Sequence, residues 1–280
     1  MKRIALLGSG LLGGSIALAM QSRRPETQVA LWGRRQQGVA DAKARGIIES
    51  STDLKAVVTG AEIIVLTSPV GAMLEILEAV TELVSLKDVI ITDVGSVKLT
   101  PRDTLKDVVA AAGAKYIGSH PMAGSEQAGV SAAREDLFQD AACVITNDFQ
   151  HSDEDLVKIQ SMWESLGCKC HITSSEDHDR VMARISHLPH MLASVGALVG
   201  LKHQGDGKFA GNGMRDTTRV ASGHPGMWAE IFMRNRAALK EPIEETINHL
   251  REMLALLENS SDEELTSFLQ TAKELRDDLQ

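Results

Sequence analysis

The sequence predicts an α/β protein: a doubly wound, mainly parallel sheet followed by an all-helical C-terminal domain. Three observations carry this prediction. Short apolar runs alternate with helix-like segments through the first half, a glycine pattern joins the first run to the first helix, and after Thr173 helical patterning continues without another convincing strand. The 280 residues allow two domains, with the boundary expected between 1–173 and 174–280.

The expected strands, in order, are Ile4–Leu7, Val29–Trp32, Ile63–Thr67, Val89–Asp93, Lys115–Gly118 and Cys143–Thr146. Between them, Gln37–Ala44 and Ala72–Val84 repeat apolar side chains at helical spacing. Cys168 and Cys170 are assigned to a further strand, on opposite faces, as inert thiols rather than ligands. In the second half, Ile243, Ile247, Leu250, Leu254 and Leu257 recur at four- and three-residue steps. That stripe is either intramolecular core or a subunit interface. Pro242 suits a first turn or a kink. Ser261 and Glu264 form an expected capping box for a last helix with Leu265, Phe268, Leu269 and Leu275 on its apolar face.

Composition narrows the function. With 29 Lys+Arg against 38 Asp+Glu, the chain carries a formal charge of -9 and no cationic run, so nucleic acid is not an expected partner. Three cysteines do not make a disulfide framework and fit a reducing compartment. Met1-Lys2-Arg3 ahead of an uncharged stretch outlines a secretory signal, but Gly8, Gly10, Gly13 and Gly14 interrupt it and the stretch is too short to span a bilayer. A cytoplasmic protein without a membrane partner is expected.

Gly8-Ser9-Gly10-Leu11-Leu12-Gly13 directly follows a predicted strand and opens a predicted helix. In that context the glycines permit a tight turn, close approach of a pyrophosphate and close helix–strand packing, so a Rossmann-type dinucleotide site is expected. At the end of the second strand, Gly33-Arg34-Arg35 offers two guanidiniums and no carboxylate. Forked donors suit the 2′-phosphate of NADP, which is favoured over NAD. Ordinary surface charge remains the other reading of the two arginines.

In an open parallel sheet, ligands bind beyond the carboxyl ends of the strands. Ser68-Pro69, Gly95-Ser96 and Ser119-His120 occupy such positions. His120 is a candidate general base, and Ser96 could orient it through a hydrogen bond. The second half adds Ser186-His187-Leu188-Pro189-His190, whose histidines are close on one helix face, and Asp216-Thr217-Thr218-Arg219. No Cys or carboxylate completes a metal ligand set with the histidines at a familiar spacing, so no metal is expected.

Taken together, these blocks, with Asp93-Val94-Gly95-Ser96-Val97-Lys98, Gly118-Ser119-His120-Pro121-Met122-Ala123-Gly124-Ser125-Glu126, Arg215 through Ala221 and Trp228, make the chain resemble the prephenate/arogenate dehydrogenases of tyrosine biosynthesis. The resemblance implies oxidative decarboxylation of prephenate to 4-hydroxyphenylpyruvate, or of arogenate to tyrosine, with hydride passing to NADP or NAD. It implies that His120 takes the hydroxyl proton, that Ser96 orients His120 and touches substrate or nicotinamide, and that Arg219 holds a substrate carboxylate. His187, His190, Glu126, Asp216 and Trp228 would complete the substrate pocket. Members preferring NAD carry an acidic residue at the position of Gly33, which favours NADP here. The family's helical domain commonly forms a dimer interface, so a homodimer through the C-terminal helices is expected. Many members append a regulatory domain, for which no room is expected after the stripe. The alternatives are a β-hydroxyacid dehydrogenase-type reductase, which would rely on a helical-domain lysine, and a catalytically silent cofactor-binding regulator, which would need neither His120 nor Arg219.

Overall fold

The computed structural model describes residues 1–125, 127–259 and 262–279. The chain forms two compact units, 1–235 and 236–280. In the first, strands β1 (Arg3–Leu7), β2 (Gln28–Trp32), β3 (Ser50–Ser51), β4 (Ile63–Leu66), β5 (Ile90–Asp93) and β6 (Lys115–Tyr116) form one parallel sheet in the order β3-β2-β1-β4-β5-β6. A smaller sheet joins β7 (Gly118–Pro121), β8 (Ala142–Thr146) and β9 (Lys169–Thr173), with β7 antiparallel and β9 parallel to β8.

Both faces of the large sheet are covered, which is why its strands read as continuous apolar runs. Ile4, Leu6, Leu31, Ile63 and Val65 pack with Ile16 and Met20 of α1 (Leu11–Arg23). On the opposite face, Ala5, Leu7, Ala30, Ile64 and Leu66 join one core with the helices that follow β3, β4 and β5. After α2 (Gln36–Ala44), these are α3 (Leu54–Val58), α4 (Met73–Thr81) and α5 (Leu99–Ala111), contributing Val57, Leu77 and Leu105. Helix α6 (Asp153–Ser165) returns to the first face and buries Trp163 there.

Two sequence expectations need correction. Lys115–Gly118 is not one strand. Lys115 and Tyr116 end the large sheet, and the chain crosses at Gly118, where a Cβ would lie 2.6 Å from Thr146 Oγ1, into the small sheet. His120 therefore lies inside β7, opposite Val144, rather than beyond a strand end. Cys168 and Cys170 do not face opposite ways either. Residues two apart on an extended chain share a face, and both join Cys143 in the core that contains Trp163. The two-residue β3 was too short to show any pattern.

Beyond β9 every described element is helical. Helices α7 (Ser175–Met182) and α8 (Leu188–Gly200) are joined by a π-helical turn, Ala183–His187, and are followed by α9 (Asn212–Thr218) and α10 (Pro225–Arg234). The second unit contains α11 (Arg236–Asn259), with Pro242 inside it, and α12 (Asp262–Asp277). The expected Ser261 cap lies outside the described residues. Along α11, Ile247, Leu250, Leu254 and Leu257 are exposed. Among the described residues, no helix is long and apolar enough to cross a membrane.

Candidate active site

The first half of the site lies where β1 and β4 feed their following turns, at the reversal of strand order. Gly8 has φ +145°, and a Cβ there would sit 2.6 Å from the carbonyl oxygen of Thr67. Thr67 Oγ1 donates to the Gly8 carbonyl at 2.9 Å. A Cβ on Gly13 would strike that same carbonyl, so only glycine lets α1 approach β1 this closely. A Cβ on Gly10 would meet nothing within 4 Å. Gly10 is also the N-cap of α1 and provides no side-chain acceptor, so the first amides of the helix remain available to an anion. Leu11 and Leu12 form that first turn.

Ser9 lies against Gly33, and Arg34 and Arg35 are exposed without an ion pair among the described residues. Ser68 Oγ is buried without a hydrogen-bond partner among the described residues, next to exposed Pro69. An open glycine, unsatisfied helix amides and two uncompensated guanidiniums fit a dinucleotide.

The second half is a chain of buried polar groups. Asp179 Oδ1 accepts from His178 Nδ1 at 2.7 Å, and His178 Nε2 is 2.8 Å from His120 Nδ1. Asp179 also receives the backbone amides of Lys98 at 2.7 Å and Leu99 at 3.1 Å. A carboxylate can only accept, so His178 Nδ1 carries a proton, and neutral His178 accepts at Nε2. His120 then donates from Nδ1, leaving the lone pair on its Nε2. Burial first, then the nearby His178 and Lys98, hold His120 well below the usual histidine range. Burial likewise lowers His178, against the opposing pull of Asp179.

A charged group supports this chain from below. Lys98 is fully buried and pairs with the Asp93 carboxylate, while its Nζ donates to the Ser119 carbonyl at 2.7 Å. Asp93 also accepts from Tyr116 OH at 2.8 Å, Ser119 N at 3.3 Å and Gly95 N at 2.8 Å. Thus the strand bearing His120 is bound to the end of β5 through one ionic cluster.

On the helical side, Asn235 Nδ2 lies 2.9 Å from His187 Nδ1 and donates to the Asp179 carbonyl at 2.8 Å. With Nδ1 accepting, neutral His187 carries its proton on Nε2, which makes no side-chain hydrogen bond among the described residues. Burial lowers His187 to about 4. His190 stacks on Trp228 with ring centroids 3.5 Å apart, and both of its nitrogens are buried without a side-chain partner among the described residues. Buried polar atoms are ordinarily satisfied, so these imidazole atoms could hold a ligand. Gly223, four residues after Arg219, lies against Trp228 and His190. Arg219 itself is exposed and has no ion pair among the described residues.

The structure thus brings together His120, His187, His190 and Trp228, with the Arg219 segment beside them. It does not join Ser96 to His120: the partner of His120 is His178, and Ser96 makes no side-chain hydrogen bond among the described residues. Asp216 is exposed on α9, outside the buried cluster. Glu126 lies outside the described residues. Sequence reasoning missed His178, Asp179 and Asn235. A signal for the first two existed, because Ser175, His178, Asp179 and Met182 follow the spacing of a buried helix face, yet three of the four are polar.

Comparison with known proteins agrees with this construction. Residues 16–172 match the family described as prephenate dehydrogenase, nucleotide-binding domain, and residues 174–271 match prephenate dehydrogenase, dimerization domain. The chain belongs to the prephenate dehydrogenase family. It is 33% identical to a prephenate dehydrogenase of Lactococcus lactis subsp. cremoris over 99% of this chain and 77% of that protein. It is 32% identical to a cyclohexadienyl dehydrogenase of Zymomonas mobilis, covering 97% and 94% of the two chains. A crystal structure of A. aeolicus prephenate dehydrogenase in complex with hydroxyphenyl propionate and NAD+ superimposes with TM-score 0.89 at 26% identity, covering 100% and 99%. Synechocystis arogenate dehydrogenase gives 0.82 at 30% identity, covering 98% and 99%. A 3-hydroxyisobutyrate dehydrogenase from Mycobacterium tuberculosis, at 12% identity and TM-score 0.55, shows a likeness of fold alone.

Proposed function

We propose that this family member is a cytoplasmic enzyme that oxidatively decarboxylates prephenate or arogenate, with NADP preferred as hydride acceptor. The observation that carries the chemistry is the Asp179–His178–His120 chain, which leaves His120 Nε2 as a proton acceptor. A bound nicotinamide supplies the hydride acceptor. His120 takes the hydroxyl proton as the carbinol carbon is oxidised, the ring carboxylate departs as carbon dioxide, and the ring becomes aromatic. The Nε2–H of His187 and the nitrogens of His190 are available to substrate oxygens, and Trp228 holds His190 in place. Ser96 lies on the loop after β5 and contributes to the cofactor and substrate crevice without orienting His120. Asp216, exposed on α9, and Glu126 are proposed as pocket residues on the sequence blocks that contain them.

The division of labour is a dinucleotide-binding domain over 1–173 and a helical substrate and dimerisation domain over 174–280. The exposed apolar stripe of α11 supports a homodimer through the C-terminal helices. Reduction of NADP on adding prephenate or arogenate to purified protein tests the activity directly. No turnover of either compound with NADP or NAD overturns the reading and leaves a reductase of another substrate or a silent cofactor-binding protein.

Arg219, with no ion pair to give up, is proposed to clamp a substrate carboxylate. Arg219→Ala should raise KM by roughly tenfold or more, the scale of a lost charge-assisted hydrogen bond, with a smaller change in kcat. An unchanged KM in steady-state kinetics would remove Arg219 from this role.

Cofactor choice is proposed to rest on Arg34 and Arg35. The direct swap toward NAD, Gly33→Asp, places a Cβ 2.5 Å from Ser9 Oγ and 3.0 Å from Ser9 Cβ. Pairing it with Ser9→Gly removes that conflict. The double variant should shift the NAD-to-NADP ratio of kcat/KM by roughly tenfold or more, as a carboxylate gains the ribose hydroxyls and repels the 2′-phosphate. If the ratio does not move, the 2′-phosphate is read elsewhere.

A further inference from the structure

Outside the active site, the only three cysteines of the chain converge on one face of the small sheet. Cys143 of β8 and Cys170 of β9 are register partners in adjacent parallel strands. Adjacent strands are about 4.8 Å apart, within the roughly 4.4–6.8 Å between Cα atoms that a disulfide spans. Cys143 is fully buried, whereas Cys170 is half-buried with Sγ 3.8 Å from the carbonyl of Gln160 on α6. Cys168 is buried beside them but precedes β9 and has no register partner on β8.

We propose that Cys170 and Cys143 form a peroxide-reactive dithiol, with Cys170 the attacking sulfur and Cys143 the resolving one. The two sulfurs have unequal environments. The hydrogen bond from Cys143 draws the Cys170 thiol below its ordinary range, while burial drives Cys143 upward. Cys170 therefore supplies the thiolate, and its exposure admits a small hydroperoxide. The Cys170 thiolate attacks one peroxide oxygen. The O–O bond breaks, the departing alkoxide or hydroxide takes a proton, and Cys170 becomes a sulfenic acid. Cys143 Sγ then attacks Cys170 Sγ, the S–O bond breaks, and the hydroxide leaves as water with the Cys143 proton. Overall, two thiols and one hydroperoxide give one disulfide, one alcohol (or water) and one water.

The sequence makes the test direct, because trypsin places the cysteines on three separate peptides: Cys143 in 135–158, Cys168 in 159–169 and Cys170 in 170–180. The intact protein is treated with hydrogen peroxide, alkylated, digested without reductant and analysed by mass spectrometry. The expected product is a linked pair of 135–158 with 170–180, lighter by two hydrogens and dissolved by dithiothreitol. Cys168→Ser should retain that link. Cys170→Ser, at a half-buried position that accommodates the hydroxyl, should abolish it and leave Cys143 alkylatable after unfolding. A link from 135–158 to 159–169 in the unsubstituted protein, loss of the link in Cys168→Ser, or recovery of the peptides unlinked would each overturn the proposal.

Discussion

His120→Asn lowers kcat by roughly 10²–10⁴-fold, the contribution of a positioned general base, while the affinity for dinucleotide stays nearly unchanged. The two effects separate because they arise at different places. The glycines and α1 amides proposed to meet the cofactor belong to the turn after β1, whereas His120 lies in the small sheet, paired with Val144. Asparagine keeps a donor near the position of Nδ1, so the contact to His178 can survive while the Nε2 lone pair is lost. Dissociation constants for NADP and single-turnover rates, measured on the same preparation, check the separation. Unchanged turnover would take His120 out of the base role.

The same chain of groups fixes the pH dependence. His120, His178 and His187 are all held below 6.5 in the folded protein, with burial the largest cause for each. The base form of His120 therefore dominates at neutral pH, and kcat/KM should fall only on the acid side of the ordinary histidine value. Stability moves in the same direction. As pH drops below 6.5, the unfolded chain binds protons before the folded one, so the folded state loses stability progressively, the share from His187 continuing down to about 4. A flat stability profile between those values in denaturant titrations would contradict the buried, neutral state of these rings.

How much of this was legible in the sequence depended on whether a residue's role was local. The glycine pattern, the apolar strands and the paired His187 and His190 announce themselves because each is defined by neighbours a few positions away. The orienting partner of His120 is not local: His178 is 58 positions distant, and proximity in the strand-end list pointed instead to Ser96. The break between β6 and β7 was hidden for a similar reason. Nothing in Lys115–Gly118 itself states that Tyr116 pairs with β5 while Gly118 pairs with β8. Even so, the fold class survived these errors, because it rests on the order of strands and helices and not on where one strand ends.

Lys98→Met should cost about 3–5 kcal/mol of unfolding free energy, the range for breaking a buried ion pair from one side. Lys98 and Asp93 are both fully buried. Removing the ammonium leaves Asp93 with hydrogen bonds from Tyr116, Ser119 and Gly95 but with no countercharge. The Ser119 carbonyl loses its donor as well, one residue before His120. Two linked consequences distinguish this account from a simple packing defect. First, Lys98 is one of the groups that lower His120, so in Lys98→Met the acid limb of the kcat/KM profile should move toward higher pH. Second, adding Asp93→Asn removes the orphaned charge, so the double variant should be more stable than Lys98→Met alone. A double variant whose loss equals the sum of the two single losses would mean that the pair is not coupled. The fold would then be holding His120 through β7 and His178 alone, and the buried charges beneath it would have no part in setting its proton affinity.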